Sequence, residues 1–387
     1  MNRYKLENFI RRKKCTLLGV GPMSKNCIDA SLELASDYDI PLFLIASRRQ
    51  IDSGEFGGGY VNNWTTKEFS NYVIDQDKKG NILLSRDHGG PWQNNKEVAS
   101  NMSLNRAMDS AKKSFLEDIT SGFQVIHIDP SIDIHKKTTV DDVLERIYEL
   151  YSFCYLQSQR LGKEILFEIG TEEQSGGNNS QEELEYILDS MKLFCEKNKF
   201  PYPTFVVIQT GTKVKETKNV GSLDSPIRVI DQLPSEIQIP KMIEICNKYG
   251  IMMKEHNADY LSNESLHWHP RLGIHAANVA PEFGVTETIN LIKTLEENNL
   301  KDISEKFLHL AFNSGKWKKW ILDSTNTSDR EKAILAGHYI FTTNECSELI
   351  NYASEKLASK DLNLTHYLKE SIKVSICRYL KNFRLIN

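Results

Sequence analysis

Apolar residues fall into short runs that recur along the first three quarters of the chain. They are Thr16–Val20, Leu42–Ala46, Ile82–Ser85, Val125–Ile128, Ile165–Ile169, Phe205–Gln209, Ile251–Lys254 and Ile274–Val279. Each is four to six residues long and rich in aliphatic and β-branched side chains, the pattern of strands buried on both faces. Segments of helical period lie between most of them: Ser24–Tyr38, Lys96–Thr120, Val140–Leu161, Gln181–Asn198 and Pro240–Tyr249. Strand and helix in alternation predict a parallel sheet. Eight such units predict a closed (β/α)8 TIM barrel, which takes about 250 residues; residues 1–299 would hold it. Residues 300–387 contain no strand run. Helical patterns at Lys301–Phe312, Asp329–Phe341, Glu345–Lys360 and Leu364–Phe383 predict a helical extension packed on the barrel. The basic stretch Met1–Lys14 reads as a short amphipathic helix entering the first strand.

Composition narrows the function classes. The 387 residues are 40% hydrophobic and 26% charged, with 48 basic against 52 acidic groups and a net charge of −4. No global basic footprint for nucleic acid exists. The single basic–aromatic patch, Lys316-Trp317-Lys318-Lys319-Trp320, reads as a helix whose tryptophans pack on the barrel. No apolar run approaches the roughly 18 residues of a membrane span, and no signal-peptide core follows the basic N-terminus. Seven scattered cysteines without a CxxC pair fit reduced thiols in a cytoplasmic protein. Phosphate-loop and dinucleotide-binding glycine patterns are missing, and no GxSxG marks a nucleophile.

Chemistry in such barrels sits at the C-terminal strand ends. Asp87-His88 follows the third run, a pair suited to proton transfer beside a metal ligand, and Gly89-Gly90 lets backbone approach a ligand. After the fourth run, alternation puts His127 and Asp129 on one face, either into the barrel or as structural polar groups. Glu168 lies inside the fifth run, where a carboxylate needs a partner or a role. Glu172 follows at the mouth. Gln209 ends the sixth run, Glu255-His256 and Asp259-Tyr260 follow the seventh, and Asn278 lies in the eighth. Gln50 through Gly57-Gly58-Gly59-Tyr60 reads as a loop over the site. His267 and His269 form a weak HxH signal, read as structural or surface histidines.

Taken in order, these pieces resemble the GatZ/KbaZ-like family, the Z-type subunits of class II D-tagatose-1,6-bisphosphate aldolase. The pieces are Gln50…Gly58-Gly59-Tyr60, Asp87-His88-x-Gly90-Pro91, Gly122-Phe123…His127-Ile128-Asp129, Ile169-Gly170-Thr171-Glu172 with Gly176-Gly177, Gln209 with Gly211, Glu255-His256-x-x-Asp259-Tyr260, and Trp317-Lys318-Lys319. Together they span roughly residues 10–320. The resemblance implies a TIM barrel akin to class II, metal-dependent aldolases and to ketose or tagaturonate C4-epimerases. Carried over, Asp87 transfers protons, with Glu172 as the second carboxylate. His88 and His256 are metal ligands, and the third is Gln209, which stands where catalytic relatives have a further histidine, or Glu172 in its place. Gln50, Tyr60, Asp129, Glu255, Asp259 and Asn278 would then bind substrate. The implied cofactor is a divalent metal, zinc by resemblance, although Mn, Co or Fe accept the same ligands.

Three readings follow. The first is a metal-dependent aldolase or C4-epimerase acting on a ketose or ketose phosphate. The second is a non-catalytic subunit that stabilises a class II aldolase chain, favoured by Gln209 and by the long tail. The third is a sugar-binding module without chemistry. The tail also offers a surface for a homo-oligomer. Nucleic-acid and membrane partners have no support.

Overall fold

A computed structural model describes residues 2–170, 180–221, 223, 234–322 and 324–387. The eight runs form β1 (Leu17–Val20), β2 (Leu42–Ser47), β3 (Ile82–Gly89), β4 (Val125–Ile128), β5 (Leu166–Ile169), β6 (Phe205–Val207), β7 (Met252–Glu255) and β8 (Ala276–Val279). All pair in parallel, in sequence order. β8 returns to β1 through Leu17↔Ala276 and Val20↔Val279 to close the barrel. The (β/α)8 expectation is met. A two-stranded hairpin, Val214–Lys215 with Lys218–Asn219, follows β6 above the barrel.

Helices cover the strands: α2 (Lys25–Tyr38), α3 (Thr66–Gln76), α5 (Leu104–Ser121), α6 (Val140–Arg160), α7 (Gln181–Asn198), α8 (Ser235–Lys248), α9 (Asn263–Leu272) and α10 (Pro281–Glu297). Local chemistry sets their starts. The Ser24 hydroxyl accepts from the Cys27 amide at the start of α2, and Thr65–Glu68 and Thr139–Asp142 form capping boxes on α3 and α6. The helix expected over Lys96–Thr120 is two pieces, α4 (Asn95–Ala99) and α5, broken where Asn101 takes φ 49°. α1 (Arg3–Lys13) lies across the N-terminal end of the barrel. Leu6 is fully buried there, and the Arg3 guanidinium donates to the carbonyls of Tyr202 and Pro203.

The tail divides between two cores. α11 (Lys301–Asn313), α12 (Asp329–Ala336) and α13 (Asn344–Ala358) gather Ile303, Phe307, Ala333, Cys346 and Leu357 against Leu291 and Leu295 of α10. The last helix, α14 (Leu364–Asn382), returns to the barrel instead. Its Ile372, Ile376, Tyr379 and Leu380 join the main core, and it packs on α2, α9 and α10. The Asp329–Phe341 expectation is met by α12 and a 3-10 turn at Gly337–Tyr339. No helix among the described residues is long and apolar enough to cross a membrane.

α10 carries one carboxyl into the interface with α2. Glu287 accepts from Ser24 Oγ (2.5 Å) and Asn26 Nδ2 (2.7 Å). Burial, only partly offset by these donors, raises it from 4.5 to about 7. The folded state therefore holds a proton that the unfolded chain releases near pH 4.5, so stability falls as pH rises from about 4.5 to 7. Glu287→Gln keeps both hydrogen bonds without the charge. It should stabilise the protein at pH 8 by up to about 3 kcal/mol and leave it nearly unchanged at pH 4.5, read as denaturant midpoints at the two pH values.

Candidate functional site

Strand alternation stacks polar groups up the barrel axis. At the base, Phe43 and Phe205 meet edge to face at 5.9 Å. Lys254 Nζ lies 5.1 Å from the Phe43 ring centre and donates to Glu168 Oε2 at 2.7 Å. Both residues are essentially inaccessible to solvent. Burial would push Glu168 up, but Lys254, followed by His127 and His256, holds it down at about 2. The other carboxylate oxygen, Oε1, lies 3.3 Å from His256 Nε2 and 3.5 Å from His127 Nδ1. Glu168 thus joins the buried lysine to two imidazoles.

His88 reaches the same point from a bulged strand. β3 runs past the expected end at Ser85, and its register with β4 shifts between Arg86 and Gly89. His88 sits there at φ 45°, a conformation uncommon for a residue with Cβ. Gly89 is required beside it, since a Cβ would stand 2.3 Å from the Phe115 ring and 2.8 Å from the His127 carbonyl. A bulge of this kind re-aims a side chain at the rim of a barrel. His88 Nδ1 meets Asp129 Oδ2 at 2.6 Å, and its Nε2 faces His256 Nδ1 at 3.1 Å.

These bonds set the tautomers. Ionised Asp129 and Glu168 accept, so His88 Nδ1 and His256 Nε2 carry hydrogens. The facing pair, His88 Nε2 and His256 Nδ1, is then two bare lone pairs unless a proton or cation lies between them. Burial lowers His88, but Asp87, Asp129 and Glu168 outweigh it and raise it to about 9; burial takes His256 down to about 4. A separation of 3.1 Å is close to the roughly 3.3 Å between two nitrogens on one tetrahedral zinc ion. His127 stands within 4.8 Å of both, and its Nε2 is buried without a hydrogen-bond partner. The residues present therefore fit a divalent cation held by imidazole, with carboxylates orienting the ligands from behind.

Asp87 lies beside this group. Its Oδ1 is 3.8 Å from His256 Nε2 and 3.9 Å from His127 Nδ1, and it accepts from Asn278 Nδ2 at 3.1 Å. Burial opposes its charge, yet His88, His127 and His256 hold it far below the usual carboxylate range. Asp87 and His88 open into a mouth cavity of 450 Å³ that Gln50, Tyr60 and Gln209 also line.

The remaining expected residues fall elsewhere. His127 joins the two expected histidines in the three-imidazole group, and Gln209 lines the mouth cavity with Asp87 and His88. Asp129 is buried and its carboxylate is taken up by His88 and Ser131. Glu255 points away from the mouth into a buried pair with His269 (2.6 Å), because strand alternation gives the interior to Lys254 and His256. Asp259 caps α10 by accepting from the amides of Ala280 and Glu282. Glu172 lies outside the described residues. His269 is structural, as expected, and His267 sits on the exposed side of α9. The signal for His127 was its shared face with Asp129; the signal for Lys254 was a lysine two residues before His256 in a buried strand.

The barrel and its mouth define a fold shared with sugar aldolases and a sugar-acid epimerase. The protein from Sinorhizobium meliloti 1021 described as a probable tagatose 6-phosphate kinase superposes with a TM-score of 0.72 at 14% identity, covering 95% of this chain and all of that one. The fructuronate-tagaturonate epimerase UxaE from Cohnella laeviribosi gives 0.63 at 11% identity, over 99% of this chain and 86% of the epimerase. Fructose-bisphosphate aldolase from Campylobacter jejuni gives 0.54 at 12% identity, over 100% and 96%. In sequence, residues 6–191 match the model for D-tagatose-1,6-bisphosphate aldolase subunit GatZ/KbaZ-like proteins, and over that span the chain is similar to them. Asp87, His88, His127 and Asp129 lie inside the match. No curated protein sequence matches the chain.

Breaking the buried pair tests the stack. Lys254→Met leaves Glu168 charged and unpaired and should cost about 3–5 kcal/mol. Adding Glu168→Gln should recover most of that loss. Equilibrium denaturation of the single and double variants reads both.

Proposed function

We propose that the chain is a metal-dependent enzyme of ketoses or ketose phosphates, of the retro-aldol or C4-epimerase type. The observation that carries this reading is the meeting of His88, His127 and His256 with the ionised Asp87 at one barrel mouth. A divalent ion bound there polarises a carbonyl or hydroxyl oxygen and stabilises negative charge developing on it. The protein's own groups do the rest. Asp87 is kept ionised by three imidazoles and aimed by Asn278, ready to accept a proton from a substrate hydroxyl or carbon. Asp129 and Glu168 fix the faces that His88 and His256 present. Gln50, Tyr60 and Gln209 offer hydrogen-bonding groups to a sugar in the cavity. The second proton carrier would be Glu172.

Zinc, manganese or cobalt added to the chelator-treated chain should raise its Tm. Binding at one hundred times Kd contributes about 2.7 kcal/mol. His88→Ala and His256→Ala should abolish the shift. With metal present, solvent deuterium should enter a ketose or ketose phosphate. Asp87→Asn should cut that exchange at least ~100-fold while metal content stays stoichiometric; loss of metal or of folding would make Asp87 structural.

The similarity of residues 6–191 to aldolase-subunit GatZ/KbaZ-like proteins supports a second reading, a stabilising partner of a class II aldolase chain. It predicts neither metal nor exchange in the isolated protein, and co-purification with such a chain.

A further inference from the structure

His256 follows β7 directly and opens the loop 257–262 that leads to α9. Two residues of that loop are left-handed: Asn257 takes φ 62° and Tyr260 φ 60°. Asparagine visits that region readily, whereas a tyrosine there persists only where its surroundings hold it. Asn257 also lines the mouth cavity, so the shape of the loop bears on the site.

Among the described residues, three elements hold the loop. The segment after β6 is the first. Thr212 Oγ1 donates to the His256 carbonyl at 2.7 Å, and Asn219 Nδ2 donates to the carbonyls of Asn257 (2.8 Å) and Asp259 (3.0 Å). The end of β8 with the start of α10 is the second. The Ala258 amide donates to the Asn278 carbonyl at 3.0 Å, and the Tyr260 amide to Glu282 Oε2 at 2.5 Å. The third is α14. Its Tyr379 stands 119 positions after Tyr260, yet its hydroxyl donates to Glu282 Oε2 and accepts from the Tyr260 amide at 3.2 Å. Arg378 covers the loop from the other side. Its Nε donates to Asn263 Oδ1 at 2.8 Å, its Nη2 to the Leu261 carbonyl, and its Nη1 to Glu282 Oε1 at 3.4 Å.

These polar groups are not what seats the helix. Ile372, Ile376 and Leu380 already anchor α14 in the main core. Arg378 and Tyr379 instead share two targets, Glu282 and the loop. Glu282 is largely buried, and a buried carboxylate keeps its place only while its donors do. Without the phenol and the guanidinium it loses two of its three donors, and with them its hold on the amide of the left-handed Tyr260.

The geometry points to Arg378 and Tyr379 as positioning residues: the last helix of the tail locks the loop 257–261 in its left-handed turns and thereby fixes where His256 stands. This rests on the reading of His256 as a metal ligand.

The test uses three variants of the full chain. Tyr379→Phe and Arg378→Gln remove the polar contacts and keep most of the packing. Ile372→Val trims the same helix about two turns away. Each is followed by amide hydrogen exchange without metal, and by zinc titration after chelator treatment, at a temperature where all are folded. Tyr379→Phe and Arg378→Gln should each speed exchange of the Tyr260 amide at least about tenfold, leave the β7 amides unchanged, and weaken zinc binding at least about fivefold. Ile372→Val should lower Tm and alter neither readout. Exchange and zinc affinity that stay at the wild-type values in Tyr379→Phe and Arg378→Gln, or that shift as far in Ile372→Val, overturn the assignment. Faster exchange with unchanged zinc affinity overturns the link to His256. A wild type that binds no zinc overturns the metal reading instead, and exchange at Tyr260 still decides whether α14 locks the loop, so the two failures are distinct.

Discussion

The Lys254–Glu168 pair is the constraint on which the rest of the site depends. Two charges inside a barrel are tolerated only when each is paired and hydrogen-bonded. Glu168 has two oxygens: one is spent on Lys254, and the other faces His256 and His127. The ammonium keeps the carboxylate ionised, and the ionised carboxylate sets the His256 tautomer. The lone pair on His256 Nδ1 therefore follows from a charge two residues below it. Phe43 and Phe205 close the space beneath, so the lysine has no route to water and no alternative partner.

The same constraint explains the bulge at His88. His127 lies in β4, next to β3, and His256 just beyond β7, three strands further round the barrel. An imidazole from β3 reaches them only if the backbone turns, and it turns at φ 45° beside Gly89. Residues in such conformations persist where surrounding packing over-determines them. Here the Asp129 hydrogen bond and the His127 acceptor for the His88 amide do so.

Much of this was legible before the structure. Eight buried runs alternating with helical patterns point to the barrel, because a parallel sheet of eight βα units that closes on itself under its helices buries both faces of every strand. Asp87, His88 and His256 were legible because polar residues at the C-terminal ends of buried strands have few structural reasons to be there. Glu255 and Asp259 stand at strand ends by the same rule, yet the structure uses them differently. Sequence shows that a residue is near the mouth; alternation and local caps decide whether it faces in. Glu255 is one residue out of phase with His256 and so leaves the interior, while Asp259 has helix amides within reach. His127 was harder, since a histidine inside a strand is more often a satisfied core group, and only its unpartnered Nε2 distinguishes it.

The tail was the least legible part, and the cause is physical. Its helical pattern indicates an apolar face without saying what that face covers. In the structure, α14 completes the outer layer of the barrel, while the turns carrying Lys319, Trp320 and Tyr339 reach over the mouth. The imidazole–carboxylate group and the cations lining a second cavity beside the mouth therefore sit on different parts of the chain. Groups able to hold a cation and move a proton rise from strands whose positions the closed sheet dictates. Of those cations, Arg49 stands in the turn after β2, Lys96 in α4, and Lys316, Lys318 and Lys319 in the tail, so none of them lies on a strand of the sheet. The two groups meet at the shared wall of the two cavities, where Tyr60 packs on Tyr339.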